Sequence, residues 1–324
     1  MGIVQELKEK ALAQGGVSRE EALLLVQAPL EELAEAAEEI RRKKCGQGFD
    51  LCTIVNGKCG RCSEDCRYCA QSAHYQARCT EAYGLLPAEK LLEGARRAKA
   101  KGALRYSIVT SGRKLSDREV EQVCESIRAI RQKTGIQVCV SFGLLAEEQF
   151  EKIREAGASR VHCNLESSAG FFPKICTTHT YQDKIDTLKA ARRAGLSVCS
   201  GGILGLGETM EDRIDMVLTA RELGVKSVPV NLLNPIPGTP LEHRQPLTGG
   251  EARRCVAIFR FLIPDASIRL AGGRGLLEDM GELCFQSGAN AAISGDMLTT
   301  AGITVERDSE LVRNLGFEVR LCNE

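Results

Sequence analysis

Residues 136–166 read IQVCVSFGLLAEEQFEKIREAGASRVHCNLE, and this stretch decides the fold. Its first seven residues alternate apolar and polar, which marks a strand with two unlike faces. A longer charged and apolar run follows and stops at Ala156 and Gly157, where glycine suits a left-handed helix cap. A second strand pattern, SRVHCNLE over 159–166, completes a strand, helix, strand unit, and such a unit implies a parallel pair.

The unit recurs. Strand patterns occur at LCTIVN (51–56), LRYSIVT (104–110), LSVCSGGIL (196–204), KSVPVNLL (226–233), ASIRLA (266–271) and NAAISG (290–295). Helical runs at Asp117 to Lys133, Thr180 to Ala194 and Met210 to Leu223 lie between them, with Gly195 and Gly224 as further left-handed caps. Together with the two strands of the opening stretch, this predicts an α/β chain folded as a (β/α)8 TIM-type barrel; an open doubly wound sheet is the other arrangement the pattern allows. Residues 1–45 read as an N-terminal helical extension: Ser18 and Glu21 form a capping box, Pro29 suits a helix start, and EELAEAAEEIRRKK carries acid early and base late. Residues 46–324 then supply the barrel and a C-terminal tail, with no low-complexity linker to demand another domain.

Alternation also sorts the strands into helix-facing and lumen-facing sets. Ile136, Val138, Val140 and Phe142 face the helices, so Gln137, Cys139 and Ser141 face inward. The same test sends inward Arg105 and Ser107, then Arg160, His162, Asn164 and Glu166, then Ser197, Cys199 and Gly201, and finally Ser267 and Arg269. Ordinary barrel interiors are filled by bulky branched residues, so a polar lumen containing two thiols points to function.

Hydrophobic residues are 43% of the chain, enough for a sizeable core, and 43 basic residues balance 43 acidic ones. That balance leaves no basic field for nucleic acid or an anionic membrane. The N-terminus, MGIVQELKEKALAQ, lacks an apolar core of the signal-peptide kind, and no stretch approaches the roughly 18 apolar residues of a membrane span. The expectation is a cytoplasmic protein with neither a nucleic-acid nor a membrane partner. Fifteen cysteines in such a setting argue for soft-metal chemistry over disulfides.

CGRCSEDCRYCAQS, Cys59–Ser72, concentrates four of those cysteines in a loop after the first strand, the end of a barrel where active sites sit. Cys62, Cys66 and Cys69 have the spacing C-x3-C-x2-C, which lets three thiolates hold three irons of a cubane. Adding Cys59 makes a four-thiolate zinc site the competing reading, although structural zinc usually uses two separated pairs.

With Tyr68 ahead of its last cysteine, this motif resembles that of the radical S-adenosylmethionine enzymes. The resemblance implies a 4Fe-4S cluster on Cys62, Cys66 and Cys69, with the fourth iron open to S-adenosylmethionine and Tyr68 stacked on adenine. GGILGLGE fits the fifth-strand pattern of that family through Gly201, Ile203, Gly205 and Glu208 near the adenine. Asn164 and Glu166 match polar contacts to the ribose and methionine portions, and Lys184 matches a contact to the methionine carboxylate.

Five longer segments are similar to the biotin synthase family within that superfamily: GRCSEDCRYCAQSAHY, ICTTHTYQDKIDT, VCSGGILGLGET, PVNLLNPIPGTPL and LCFQSGANAAISG. The resemblance covers nearly everything after residue 45. It implies insertion of one sulfur between C6 and C9 of dethiobiotin at the cost of two S-adenosylmethionine molecules, with no side-chain acid, base or nucleophile. It further implies sulfide from an auxiliary iron–sulfur cluster in the lumen, an electron donor such as flavodoxin or ferredoxin, and a homodimer. Cys139, Cys199 and Arg269 match three auxiliary-cluster ligands, while Ser107 stands where the pattern has a cysteine. The cluster is therefore either of the 2Fe-2S type or a larger four-iron one, with Cys163 or Cys176 as replacement ligand. Asn164 and Asn231 match the amides that hold the ureido ring.

Cys45, Cys52, Cys79, Cys124, Cys255, Cys284 and Cys322 read as packing or surface thiols. Among the histidines His162 stands out, facing the lumen beside Asn164. Other barrels of the same radical branch, of the hydrogenase-maturation or methylornithine-forming type, and a non-catalytic iron–sulfur or zinc module are the competing functions.

Overall fold

The computed structural model describes residues 2–77 and 81–322; Cys79 lies outside the described residues. Eight parallel strands close into a barrel, each paired with the next and the last returning to the first. In order they are Gly48–Lys58, Arg105–Thr110, Gln137–Ser141, Ala158–His162, a fifth strand in two pieces (Ser197–Cys199 and Gly202–Leu204), Ser227–Leu232, Ser267–Leu270 and Ala291–Ser294. A short ninth strand, Glu318–Val319, adds to the start of the first through Gly48 and Phe49, a pairing the sequence patterns did not flag.

The helices between strands begin with a repeated device. Ser116, Thr180, Thr209 and Thr248 each accept a hydrogen bond from the backbone three residues on, and Glu119, Asp183, Asp212 and Glu251 each accept one from the backbone N–H of the cap residue. Each such cap is worth about 1 kcal/mol and fixes where the chain turns from strand end to helix start. The helices that follow run Asp117–Thr134, Tyr181–Arg193, Met210–Glu222 and Gly249–Leu262. Gly157, Gly195 and Gly224 then end helices with φ of 109°, 82° and 67°.

Before the barrel, helices Ile3–Gln14, Arg19–Leu24 and Leu30–Cys45 pack against the helix Gly249–Leu262. The Ser18 capping box is present, and Pro29 stands immediately ahead of the third helix. Arg254 donates to the Ala28 carbonyl at 2.7 Å, and Leu33, Ala37 and Ile40 are fully buried in the same core as Val256 and Phe259.

The break in the fifth strand has a packing cause. A side chain on Gly201 would meet the Pro229 carbonyl oxygen at 2.0 Å, and one on Gly202 would meet the Glu166 carbonyl oxygen at 2.3 Å. The two neighbouring strands approach here too closely for any β-carbon. The close approach at Gly201 and Gly202 is by backbone.

Candidate active site

A cavity of about 390 Å³ runs from the barrel mouth into its lumen. Its wall includes Cys62, Tyr68 and Cys69 from the loop after the first strand, and Ser107, Cys139, His162, Asn164, Cys199, Asn231 and Arg269 from the strands.

The cluster loop is held by short-range backbone bonds and by the two acids inside the motif. Cys62 N–H donates to the Gln71 carbonyl at 3.0 Å, and Cys69 N–H to the Cys66 carbonyl at 2.9 Å. Asp65 accepts from the backbone N–H groups of Thr177 and Thr178 at 2.8 and 3.2 Å. Burial raises the Asp65 pKa, but the hydroxyl and backbone N–H of Thr177 outweigh it and hold the carboxyl below its ordinary value. Glu64 accepts from Thr178 at 2.9 Å and lies 2.6 Å from His179 Nδ1. Glu64 and Asp65 thus clamp the loop to Cys176–His179, a role that sequence reasoning missed. The signal was available as two acids inside the cysteine motif and a run of hydroxyls in CTTHT.

Cys62 Sγ accepts from the Gly112 N–H at 3.3 Å, and Cys66 Sγ lies 3.8 Å from Cys176 Sγ. Among the described residues, the donor atoms near enough for one ion are those of Cys66, Cys176 and His179, all within 4.8 Å of one another. Cys62, Cys66 and Cys69 do not form such a group among the described residues. The Cys59 backbone pairs with Tyr83, each N–H donating to the other's carbonyl at 3.0 Å. Cys62 and Cys69 stand on the cavity wall and Cys66 beside Cys176, and thiolates are the donors an iron–sulfur cluster takes.

Beside the loop, Glu166 has φ of 69°, a left-handed conformation uncommon for this residue type, at the end of the fourth strand. Tyr68 Oη donates to Glu166 Oε1 at 2.9 Å, while Glu166 Oε2 is buried with no hydrogen-bond partner. An orphaned carboxylate oxygen on the cavity wall fits a ligand that brings hydroxyl or amino donors, as S-adenosylmethionine does. Tyr68 and Ile203 pack on an apolar cluster of Phe171, Ile175, Leu206, Leu233 and Leu241. Lys184 also lines the cavity; burial lowers its pKa, but Cys163 and Glu166 outweigh burial and the net shift is upward.

Gly201, Gly205 and Glu208 of the expected set lie outside the cavity wall. Gly205 forms a left-handed turn with φ of 98°, closed by Glu208 Oε1, which accepts from Gly205 N–H at 2.8 Å and from Arg213 at 2.7 Å. Asn164 Oδ1 accepts from Gly201 N–H at 3.1 Å. Asn231 gives one N–H to the Gly202 carbonyl at 3.1 Å and accepts from Gly272 N–H at 3.0 Å, keeping one N–H and one lone pair for another partner.

Deeper in the lumen, Asp50 is fully buried beneath converging guanidinium groups. Arg105 Nε donates to it at 2.9 Å, and Arg269 forms an ion pair with it at 3.0 Å. Burial pushes the Asp50 carboxyl up, but Arg269, Arg105 and Arg160 outweigh that and hold it below its ordinary range. Arg269 also donates to the backbone carbonyls of Asp50 and Ala292 at 3.0 and 2.9 Å. Cys139 and Cys199 line this region, joined by Cys52 of the first strand, which sequence reasoning treated as packing. Cys163 lines the same cavity; burial raises its pKa, and the charged groups acting on it are Lys184 and Glu166. Burial also lowers the His162 pKa, so the ring is neutral at pH 7.

The Radical SAM superfamily model matches residues 58–220, and the Biotin and Thiamin Synthesis associated domain matches residues 229–318. The chain is 57% identical to "Biotin synthase 2" of Corynebacterium diphtheriae, over 99% of this chain and 97% of that protein. It is 55% identical to the biotin synthase of Brachyspira hyodysenteriae, over 98% and 95%. Among solved structures it superposes on methylornithine synthase with a TM-score of 0.83 at 18% identity, covering 97% of each chain. The FeFe-hydrogenase maturase of Carboxydothermus hydrogenoformans gives 0.83 at 16%, covering 99% of this chain and 80% of that one. These distant likenesses share the barrel, whereas the sequence identity singles out one branch of it. The chain belongs to the biotin synthase family of the radical SAM superfamily.

Proposed function

We propose that this chain converts dethiobiotin to biotin by inserting sulfur between C6 and C9. The observation that carries the reading is one cavity that collects two of the loop thiols, Cys62 and Cys69, an orphaned carboxylate oxygen and a second set of thiols deeper in the lumen. Bound there, a 4Fe-4S cluster with S-adenosylmethionine supplies the 5'-deoxyadenosyl radical, and an auxiliary iron–sulfur cluster supplies sulfide.

The chain's own residues position and exclude. Cys62, Cys66 and Cys69 hold the first cluster, and Glu64 and Asp65 keep their loop rigid against Thr177 and Thr178. Tyr68, Asn164, Glu166, Lys184 and Ile203 face S-adenosylmethionine, while Gly201, Gly205 and Glu208 shape the strand end beside them. Asn164 and Asn231 present neutral amides to the ureido ring, which needs both a donor and an acceptor. The buried wall keeps water from the reacting carbon, and no proton-transfer residue is required.

Cys139 and Cys199 ligate the auxiliary cluster, of 2Fe-2S or four-iron type. For Arg269 and Cys163 the surroundings give less support, since Asp50 engages the first and Lys184 with Glu166 neighbours the second. Arg67 and Arg113 are exposed around the cluster loop and suit an acidic electron donor of the flavodoxin or ferredoxin kind. A homodimer in the cytoplasm follows from the resemblance; among the described residues no helix is long and apolar enough to cross a membrane.

Anaerobic turnover with dethiobiotin, S-adenosylmethionine and dithionite tests the reading. Biotin and 5'-deoxyadenosine should form together. Deoxyadenosine without biotin would favour another radical enzyme of the same barrel type, and neither product would leave a non-catalytic module.

A further inference from the structure

Barrel interiors pack in layers, each layer built by alternate strands. One layer here takes Cys52 from the first strand, Cys139 from the third, Cys199 from the fifth and Arg269 from the seventh. All four are buried and line the cavity. Strand register fixes their direction: Cys52 lies beside Arg105, and Cys139 beside Ser107, on strands whose other inward residues are also on the cavity wall.

The members of the layer are neighbours. Cys52 and Cys139 lie within electrostatic range of each other, and Cys139 lies within the same range of Cys199. Arg269 lies within the same range of both Cys52 and Cys199. All three cysteines are free thiols, so their sulfurs are available to metal.

The fourth member is held beside them: Arg269 forms an ion pair with the fully buried Asp50 and donates through Nη1 to two backbone carbonyls. Cys163, another thiol on the cavity wall, has Lys184 and Glu166 within electrostatic range.

We propose that Cys52, Cys139 and Cys199 are the three thiol ligands of the auxiliary cluster, Cys52 filling the role that Ser107 leaves open. This rests on the reading that the lumen holds a second cluster. Three soft thiolates are the donor set that iron–sulfur clusters take, and Arg269, pinned by Asp50, stands beside them as a cation that offsets their charge. The first strand thereby contributes to the site twice, with Cys52 inside the barrel and the cluster loop at its end.

The test separates the two clusters by removing one. The full chain carrying Cys62→Ala, Cys66→Ala and Cys69→Ala is reconstituted anaerobically with iron and sulfide, then assayed for both and examined by Mössbauer spectroscopy. It should retain a cluster. Adding Cys52→Ala should remove at least half of that iron or change its Mössbauer parameters, whereas adding Cys163→Ala should change neither. In the otherwise intact chain, Cys52→Ser should alter the auxiliary signature while 5'-deoxyadenosine still forms, which shows that the protein is folded. Unchanged iron, sulfide and spectrum in both Cys52 variants would overturn the assignment. Absence of any cluster from the triple variant would overturn the second-cluster reading itself, a distinguishable failure.

Discussion

Tyr68 donates a 2.9 Å hydrogen bond to Glu166, and this single contact ties the cluster loop to the end of the fourth strand. It also orients the Glu166 side chain on the cavity wall, where the other carboxylate oxygen is buried without a hydrogen-bond partner. A hydrogen bond to a charged group contributes about 1.5–3 kcal/mol. Tyr68→Phe should therefore weaken S-adenosylmethionine binding by about tenfold or more, because Glu166 is no longer positioned. Equilibrium binding measured alongside iron content checks this, and the iron on Cys62, Cys66 and Cys69 should not change.

Asp50 is the anion on which Arg105 and Arg269 depend. Asp50→Ala leaves those guanidinium groups in the lumen without their carboxylate, a loss of about 3–5 kcal/mol for a broken buried pair. Chemical unfolding of the cluster-free chain should show it as a lower midpoint. The same pair predicts acid sensitivity. The folded-state pKa of Asp50 lies below its ordinary 3.8, so the stabilisation is present above that value and is lost as pH falls below it.

Much of this was legible in the sequence because barrel strands repeat a simple rule. Alternation placed Arg105, Ser107, Cys139, His162, Cys199 and Arg269 inward, and all six line the cavity. The rule failed at Cys52, since LCTIVN has apolar residues on both faces and gives alternation nothing to sort. Only pairing with Arg105 on one side and Ile293 on the other fixes its direction. Contacts across long separations were equally invisible: nothing local links Asp65 to Thr177 or Asp50 to Arg269. Glycine was legible as a position, while the crowding of Gly201 against the Pro229 carbonyl, on a strand distant in sequence, was not.

That cause gives a third prediction. Gly201→Ala forces a β-carbon to within 2.0 Å of a strand carbonyl, which neither strand can yield without losing register. The variant should be strongly destabilised or insoluble. Gly84→Ala, where no atom lies within 4 Å, is the control and should melt as the parent does. Thermal unfolding of both separates a backbone clash from the general cost of replacing glycine.

The clamp between Asp65 and residues 177–178 predicts how firmly the first cluster is retained. Asp65 accepts from two backbone N–H groups and from the Thr177 hydroxyl, so its carboxylate organises both residues at once. Asp65→Asn keeps the size of the side chain but replaces one acceptor oxygen with a donor group that faces other donors. The cysteines of C-x3-C-x2-C remain, yet the loop carrying them loses its fixed shape. The variant should still assemble the cluster during reconstitution but release its iron several-fold faster to a chelator, followed by visible absorption under anaerobic conditions. Asp308→Asn, which breaks an ion pair with Arg274 away from the cluster loop, should lower stability without changing the release rate. Equal acceleration in both variants would mean that iron loss follows global unfolding, and the clamp would then have no specific hold on the loop.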